Sequence, residues 1–392
     1  YYLHNFLTSQ PDLNFHNPAV RIAVLENVEF WLEHGVDGFR LDAINFCFHD
    51  KLLRDNPAKA EEERQGRGFS EDNPYAFQYH YYNNTQPENI AFMEDIRQLM
   101  DKYPNAVTLG EISSEDSLQT MAEYTEGKRL HMAYSFELLT PDNHPSYIRS
   151  TVEALEDKLT DGWPCWAIGN HDVSRIATRW CKGEEVGDNS AQVKMYNALL
   201  ASLRGSVCCY QGEELGLTEA DIAFEDLQDP YGVTFWPTFK GRDGCRTPMP
   251  WQEQAINAGF SQHTKPWLPV AQKHKSQAVD NQEADDDSTL NAYRTFLQWR
   301  KKQNCLLYGD IKFLVSDDEK LVFTRQDQTE TLLVIVNVSG KQVSYDTQYN
   351  EINLLTGHGF TELNIAKSTS GTSEAISVVL APYQIGFIQL LN

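Results

Sequence analysis

The stretch Val36-Asp37-Gly38-Phe39-Arg40-Leu41-Asp42 decides the fold. It is a short apolar run with a glycine inside and an arginine and an aspartate at its far end. That pattern suits a buried parallel strand that delivers charge to one rim. An aspartate two residues after an arginine is either half of a structural ion pair or a carboxylate held for chemistry, and this stretch alone leaves both open. Two later strand-like runs also finish in carboxylates, Val107 to Glu111 and Cys165 to Asp172.

The segments around these runs alternate regularly. Asn17 is placed to cap a helix with Pro18 at its first position; Val20, Val24, Val28 and Trp31 recur on one face, and Gly35 ends it. After Asp42 comes a long polar loop, Ala43 to Glu88, of a length that suits a substrate lid. Helices are expected over 89–103, 118–124, 146–159 and 191–203, with strands at 107–111, 132–136, 165–172 and 206–214. Such alternation implies a parallel sheet with right-handed crossovers. Charge gathered at the carboxyl ends of successive strands favours a closed (β/α)8 TIM barrel within the α/β class. Leu215 to Asp287 is rich in Gly, Pro and Trp and reads as a long rim loop. Its run Asp285-Asp286-Asp287 reads as solvated surface rather than a metal site. Leu290 to Lys302 is a last helix, and after Asn304 period-two runs such as Leu321 to Arg325 signal an antiparallel β-sandwich domain. The expected domains are 1–303 and 304–392.

The 392 residues suffice for a large core and a smaller second domain. With 33 Lys+Arg against 56 Asp+Glu, the net charge of −23 repels nucleic acid and anionic membrane, so neither is an expected partner. The acidity leaves a saline habitat open. The 7 Cys show no C-x-x-C or zinc-like spacing, and Cys165, Cys208 and Cys209 fall in apolar strand-like runs. A reducing cytoplasm is the expected location.

In a parallel barrel Asp42, Glu111 and Asp172 would line one cavity, where carboxyls about 5–5.5 Å apart perform double displacement at a glycosidic bond. Gly38 to Asp42 (G-F-R-L-D), Gly110-Glu111 and Asn170-His171-Asp172 resemble three ordered signature regions of the α-amylase family, glycoside hydrolase family 13. Gln10 to Asn14 (Q-P-D-L-N), Gln211 to Glu214 and Gly241 to Met249 resemble its α-glucosidase and oligo-1,6-glucosidase branch, and the match spans about Tyr1 to Lys302.

The resemblance implies a retaining, exo-acting α-glucosidase acting on short oligosaccharides such as maltose or sucrose, with transglucosylation as a companion activity. Asp42 is then the nucleophile, Glu111 the general acid and base, and Asp172 the ligand of the sugar's 2- and 3-hydroxyls. Arg40 supplies positive charge beside the nucleophile, and Arg40, His171 and Arg242 are the implied substrate-binding residues. Two plainer readings stand beside these: His171 as a core histidine fixing its loop, and Arg242 as a rim ion pair with Asp243. Ala43 follows the nucleophile, where the branch often has Val or Thr, and its small side chain favours α-1,4 substrates. Oligo-1,6-glucosidase, sucrose isomerase and trehalose synthase share the same three carboxylates, and a non-catalytic amylase-like subunit is the rival from another class. No cofactor is required by these residues.

The family's first signature region, an Asp and a terminal Asn-His after the third strand, is not found in this sequence, nor is the calcium-loop pattern near the first strand. The expectation is therefore that this chain carries about strands 4 to 8, with 1–15 the end of the protruding domain. The N-terminal strands, and with them a structural calcium or magnesium site, are expected on another segment or chain. A monomer or homodimer is expected.

Overall fold

The computed structural model describes residues 1–64, 73–181, 189–349, 351–370 and 373–391. Residues 65–72 of the expected lid loop lie outside these. The chain divides into two compact units, Tyr1–Thr140 with Thr151–Trp166, and Pro141–Ser150 with Ala167–Asn392.

In the first unit, α1 (Pro18–Glu33) starts where the cap chemistry places it: the Asn17 side chain accepts the Ala19 amide and Pro18 sits in the first turn. Gly35, at φ 90°, follows the helix. Its packing departs from the periodic reading. Leu32 is the buried residue, Val20, Val24 and Val28 are half-buried, and Trp31 is 53% exposed. Then come β1 (Gly38–Leu41), α2 (Glu88–Met100), β2 (Val107–Ile112), α3 (Ser117–Thr125), β3 (Met132–Ser135), α4 (Pro145–Glu156), whose residues up to Ser150 are counted with the second unit, and β4 (Cys165–Trp166). The first three strands pair in parallel in the order β1-β2-β3, and a parallel bridge joins Ala133 to Pro164 just before β4. Gly38 lets β1 approach β2, because a Cβ there would lie 2.1 Å from the Val107 carbonyl oxygen. The register Leu41↔Gly110 brings Asp42 and Glu111 to one end of the pair.

The second unit holds α5 (Ile176–Arg179), α6 (Ser190–Leu200), β5 (Ser206–Val207), α7 (Pro230–Thr234), α8 (Gln272–Lys275), α9 (Val279–Glu283), α10 (Thr289–Arg300) and α11 (Asn304–Tyr308). Strands β4 and β5 are only two residues each, so Asn170 to Asp172 and Tyr210 to Glu214 stand on loops rather than on strand ends. Cys208 and Cys209 therefore lie past β5, and Cys209 is exposed. Asp285, Asp286 and Asp287 are exposed, as expected.

The C-terminal strands are β6 (Asp310–Ser316), β7 (Lys320–Gln326), β8 (Thr331–Asn337), β9 (Val343–Thr347), β10 (Ile352–Leu354), β11 (Asn364–Ser370), β12 (Ser373–Leu380) and β13 (Ile385–Leu390). They form two antiparallel sheets, ordered β10-β13-β8-β7-β6 and β11-β12-β9. Val322, Leu333, Ile335 and Ile388 of the first meet Val343, Val378 and Leu380 of the second. Leu321, Val322 and Phe323 are all fully buried, so β7 is covered on both faces rather than alternating. The second cover comes from helices: Phe387 of β13 packs on Phe296 and Trp299 of α10, with ring centroids 5.5 and 4.8 Å apart. Arg325, fully buried, donates to the carbonyls of Ser202 (2.8 Å), Leu203 (2.9 Å) and Gly309 (2.8 Å).

Candidate active site

The predicted residues fall into two groups, one in each unit. In the first, Arg40 on β1 donates from Nη1 to Asp42 and from Nη2 to Glu111, joining both carboxylates through one guanidinium. The environments of the two differ sharply. The Asp42 side chain is 76% exposed, whereas that of Glu111 is 7% exposed. Tyr134 Oη donates to Glu111 Oε1 at 2.9 Å and accepts from Arg40 Nη2 at 3.0 Å. Glu111 Oε2 takes the Ala43 amide at 3.0 Å. Ala43 has φ 40° and ψ 45°, a left-handed conformation that costs a non-glycine residue about 1 kcal/mol or more and turns its N–H toward Glu111. Burial pushes the Glu111 carboxyl above its usual range, against the pull of the Arg40 charge, the Ala43 amide and the Tyr134 hydroxyl. Burial alone would lower Arg40, but its contacts with Tyr134, Glu111 and Asp42 raise it overall.

In the second group Asp172 Oδ1 accepts from Arg242 Nη1 (2.8 Å) and Arg246 Nη2 (3.1 Å), while Oδ2 lies 3.4 Å from His171 Nε2. The Asp172 amide donates to Asn170 Oδ1 at 2.9 Å, which sets the turn. His171 is no core histidine: its side chain is 45% exposed. Arg242 pairs not with Asp243 but with Asp229, through Nε (2.8 Å), Nη2 (3.0 Å) and its own amide (2.8 Å). The Asp229 carboxylate is buried, and the Arg242 contacts outweigh that burial to hold it below the usual range. Asp243 instead accepts the amides of Gln228 (2.6 Å) and Asp229 (2.8 Å).

Three residues that sequence reasoning missed belong to these groups: Tyr134, Asp229 and Arg246. Arg246 binds both Asp172 and the His171 carbonyl, the latter through Nε at 2.7 Å. Arg246 lies within the quoted motif Gly241 to Met249, four residues after Arg242, a spacing that could have drawn attention to it. Tyr134 and Asp229 carried no local signal. Among the described residues one trio of metal-capable side chains is close together, Cys305, Asp327 and Glu330. Asp327 Oδ1 already serves the amides of Thr329 (2.7 Å) and Glu330 (2.9 Å), so the trio reads as a turn.

Under the Asp172 loop lies Glu213, 2% exposed. Its Oε2 takes the Tyr210 amide at 2.9 Å, and its Oε1 is buried without a hydrogen-bond partner among the described residues. Gly169 makes room for it, since a Cβ there would stand 1.9 Å from Oε1. Burial pushes Glu213 from its ordinary 4.5 up to about 7. A carboxyl with its folded pKa above its unfolded value contributes stability that is fully present below about pH 4.5 and is lost as pH rises through about 7. Glu213→Gln is therefore expected to gain on the wild type by up to about 3 kcal/mol between pH 5 and pH 8 in denaturant melts. Parallel pH profiles for the two proteins would show that Glu213 is not the source.

The alpha-amylase catalytic-domain family matches residues 1–309. A probable alpha-glucosidase of Rhizobium meliloti (strain 1021) is 48% identical over 363 residues, 92% of this chain and 65% of that protein. The oligo-1,6-glucosidase of Parageobacillus thermoglucosidasius is 32% identical over 374 residues, 87% of this chain and 64% of that protein. The chain thus spans slightly less than two thirds of these relatives' length. The crystal structure of XgtA, an alpha-glucosyl transfer enzyme, superposes with a TM-score of 0.92 at 54% identity, over 100% of this chain and 71% of the other. The chain belongs to the alpha-amylase family. Its βα units are accordingly those of a TIM barrel followed by a C-terminal sheet domain.

Proposed function

We propose that the complete protein is a retaining, exo-acting α-glucosidase that releases and transfers terminal α-linked glucose. The observation that carries this is one guanidinium gripping two carboxyls of opposite character, exposed Asp42 and buried Glu111 with its raised pKa. Asp42 attacks the anomeric carbon, forming a glucosyl ester as the glycosidic bond breaks. Glu111 gives its proton to the leaving oxygen and then takes one from the incoming water. Asp172, held by Arg242 and Arg246, takes the sugar's 2- and 3-hydroxyls, with His171 beside it. The names of the relatives, a probable alpha-glucosidase and an alpha-glucosyl transfer enzyme, support hydrolysis and transfer from one intermediate.

The small Ala43 side chain favours α-1,4 bonds, and the chemistry calls for no cofactor. The motif order supports assigning β1 to β5 to barrel strands 4 to 8, the others being supplied by another segment or chain. A product time course on maltose, isomaltose and sucrose, with the anomer followed by NMR, tests the reading. α-Glucose as first product, fastest from maltose, is expected, whereas β-glucose first would refute retention.

Tyr134→Phe offers a sharper check. The hydroxyl stabilises ionised Glu111, so its removal raises the carboxyl's pKa further and moves the alkaline limb of kcat/KM to higher pH. An alkaline limb that stays put or moves down would disconnect Tyr134 from the proton transfer.

A further inference from the structure

We propose that Glu213 is a positioning residue for Asp172: its carboxyl fills the place of a side chain beneath Gly169 and so fixes the backbone from which the Asp172 loop springs. The inference rests on the α-glucosidase reading and adds to it the group that seats the proposed ligand of the sugar's hydroxyls. Every residue it uses lies in the second compact unit.

A Cβ at position 169 would meet Glu213 Oε1 at 1.9 Å, Cδ at 2.9 Å and Oε2 at 3.7 Å, and these are its three nearest atoms. Gly169 has no positive φ, so the space taken by Glu213, and not backbone conformation, is what demands a glycine there. Glu213 has little room to retreat. It is 2% exposed, its Oε2 takes the Tyr210 amide at 2.9 Å, its own amide donates to the Tyr210 carbonyl at 3.0 Å, and its carbonyl accepts Asn197 Nδ2 at 3.2 Å.

From Gly169 the contact reaches the site within three residues. Asn170 is buried, and its Oδ1 accepts the Asp172 amide at 2.9 Å. Arg179 ties the loop at both ends, donating to the carbonyls of Ile168 and Ser174. A displacement of Gly169 is therefore passed on to Asp172, because close-packed surroundings transmit strain.

The support depends on the proton that Glu213 carries. Its Oε1 is buried without a hydrogen-bond partner among the described residues, which a neutral acid tolerates far better than a carboxylate. Burial pushes the carboxyl up to about 7; the Tyr210 amide and the charges of Arg179 and Arg175 work against burial, and Glu214 works with it. Cys209 and Tyr293 also face Glu213, and both stay neutral because burial pushes them well up. Once ionised, Glu213 draws Arg179 away from the two carbonyls that hold the loop. Asp172 is thus seated below about pH 7 and loosens as pH rises through it, so glucose binds more weakly on the alkaline side.

The experiment measures the inhibition constant of glucose against hydrolysis of 4-nitrophenyl α-glucoside by the complete enzyme across neutral pH. From about pH 5.5 to about pH 8.5 the wild type is expected to lose about three- to tenfold in glucose affinity, whereas Glu213→Gln, neutral and of the same shape, stays within about twofold. Gly169→Ala is expected to weaken glucose about tenfold or more at any pH. Adding Glu213→Ala, which empties the space the new methyl needs, should recover at least about threefold of that loss, where two independent injuries would add. A Glu213→Gln curve that follows the wild type, or a double variant that binds glucose no better than Gly169→Ala, would overturn the positioning role. A wild-type enzyme that leaves the aryl glucoside uncleaved would instead overturn the α-glucosidase reading on which it rests.

Discussion

Asp42→Asn in the complete enzyme is expected to lower kcat by about four orders of magnitude or more, some 5 kcal/mol of transition-state stabilisation. The amide is a poor nucleophile at the anomeric carbon, and no second carboxylate among those joined by Arg40 is exposed as Asp42 is: Glu111 is buried. The fold should barely notice, because the Asp42 side chain is 76% exposed and an exposed ion pair contributes roughly 0–1 kcal/mol. Turnover and the thermal midpoint, measured together, separate the two effects. A variant that keeps a tenth of wild-type turnover would remove Asp42 from the mechanism.

Glu111→Gln should produce the second-largest loss, with a different signature. General acid and base catalysis contributes roughly 10²–10⁴-fold, so maltose hydrolysis is expected to fall by about 10³ or more. An aryl α-glucoside with a good leaving group needs little protonation, so its glucosyl-enzyme should form readily and then wait for a base. Added azide needs no base to attack that intermediate. It should restore turnover and yield α-glucosyl azide. Equal losses on both substrates with no azide effect would assign Glu111 a structural role. Gln preserves the shape but has a single acceptor oxygen, so it keeps either the Tyr134 contact or the Ala43 amide contact and not both, and azide rescue is the readout that reports the lost proton transfer.

The local chemistry of the chain was legible where it is local in sequence. Asn17, Pro18 and Gly35 mark the limits of α1 because a cap, a first-turn proline and a left-handed glycine act within a few residues. The Arg40 and Asp42 pairing also follows from position, two residues apart at a strand end. Where packing from distant segments decides, periodicity misleads. Trp31 shares a helical face with Val28 yet is exposed, and the burial falls on Leu32. The run Leu321 to Arg325 is expected to bury one face only, but all five residues are buried, Arg325 among three carbonyls.

The candidate site shows the same division. Motifs located Asp42, Glu111 and Asp172, and the structure adds what positions them: Tyr134 arrives from 23 residues beyond Glu111, and Arg246 from 74 beyond Asp172. Arg242 had an acidic neighbour in sequence, Asp243, yet its partner is Asp229, because Asp243 turns to the backbone amides of Gln228 and Asp229. Sequence adjacency is a weak guide to ion pairing when a loop folds back on itself.

The covalent step is the centre of this account, and trapping it is the most direct test. Incubation of the complete enzyme with 5-fluoro-α-glucosyl fluoride, followed by proteolysis and mass spectrometry, should find one fluoroglucosyl unit on the peptide containing Asp42, attached to that carboxylate. Full inactivation with the label on any other residue, or turnover that proceeds with inversion and leaves no labelled peptide, would contradict it.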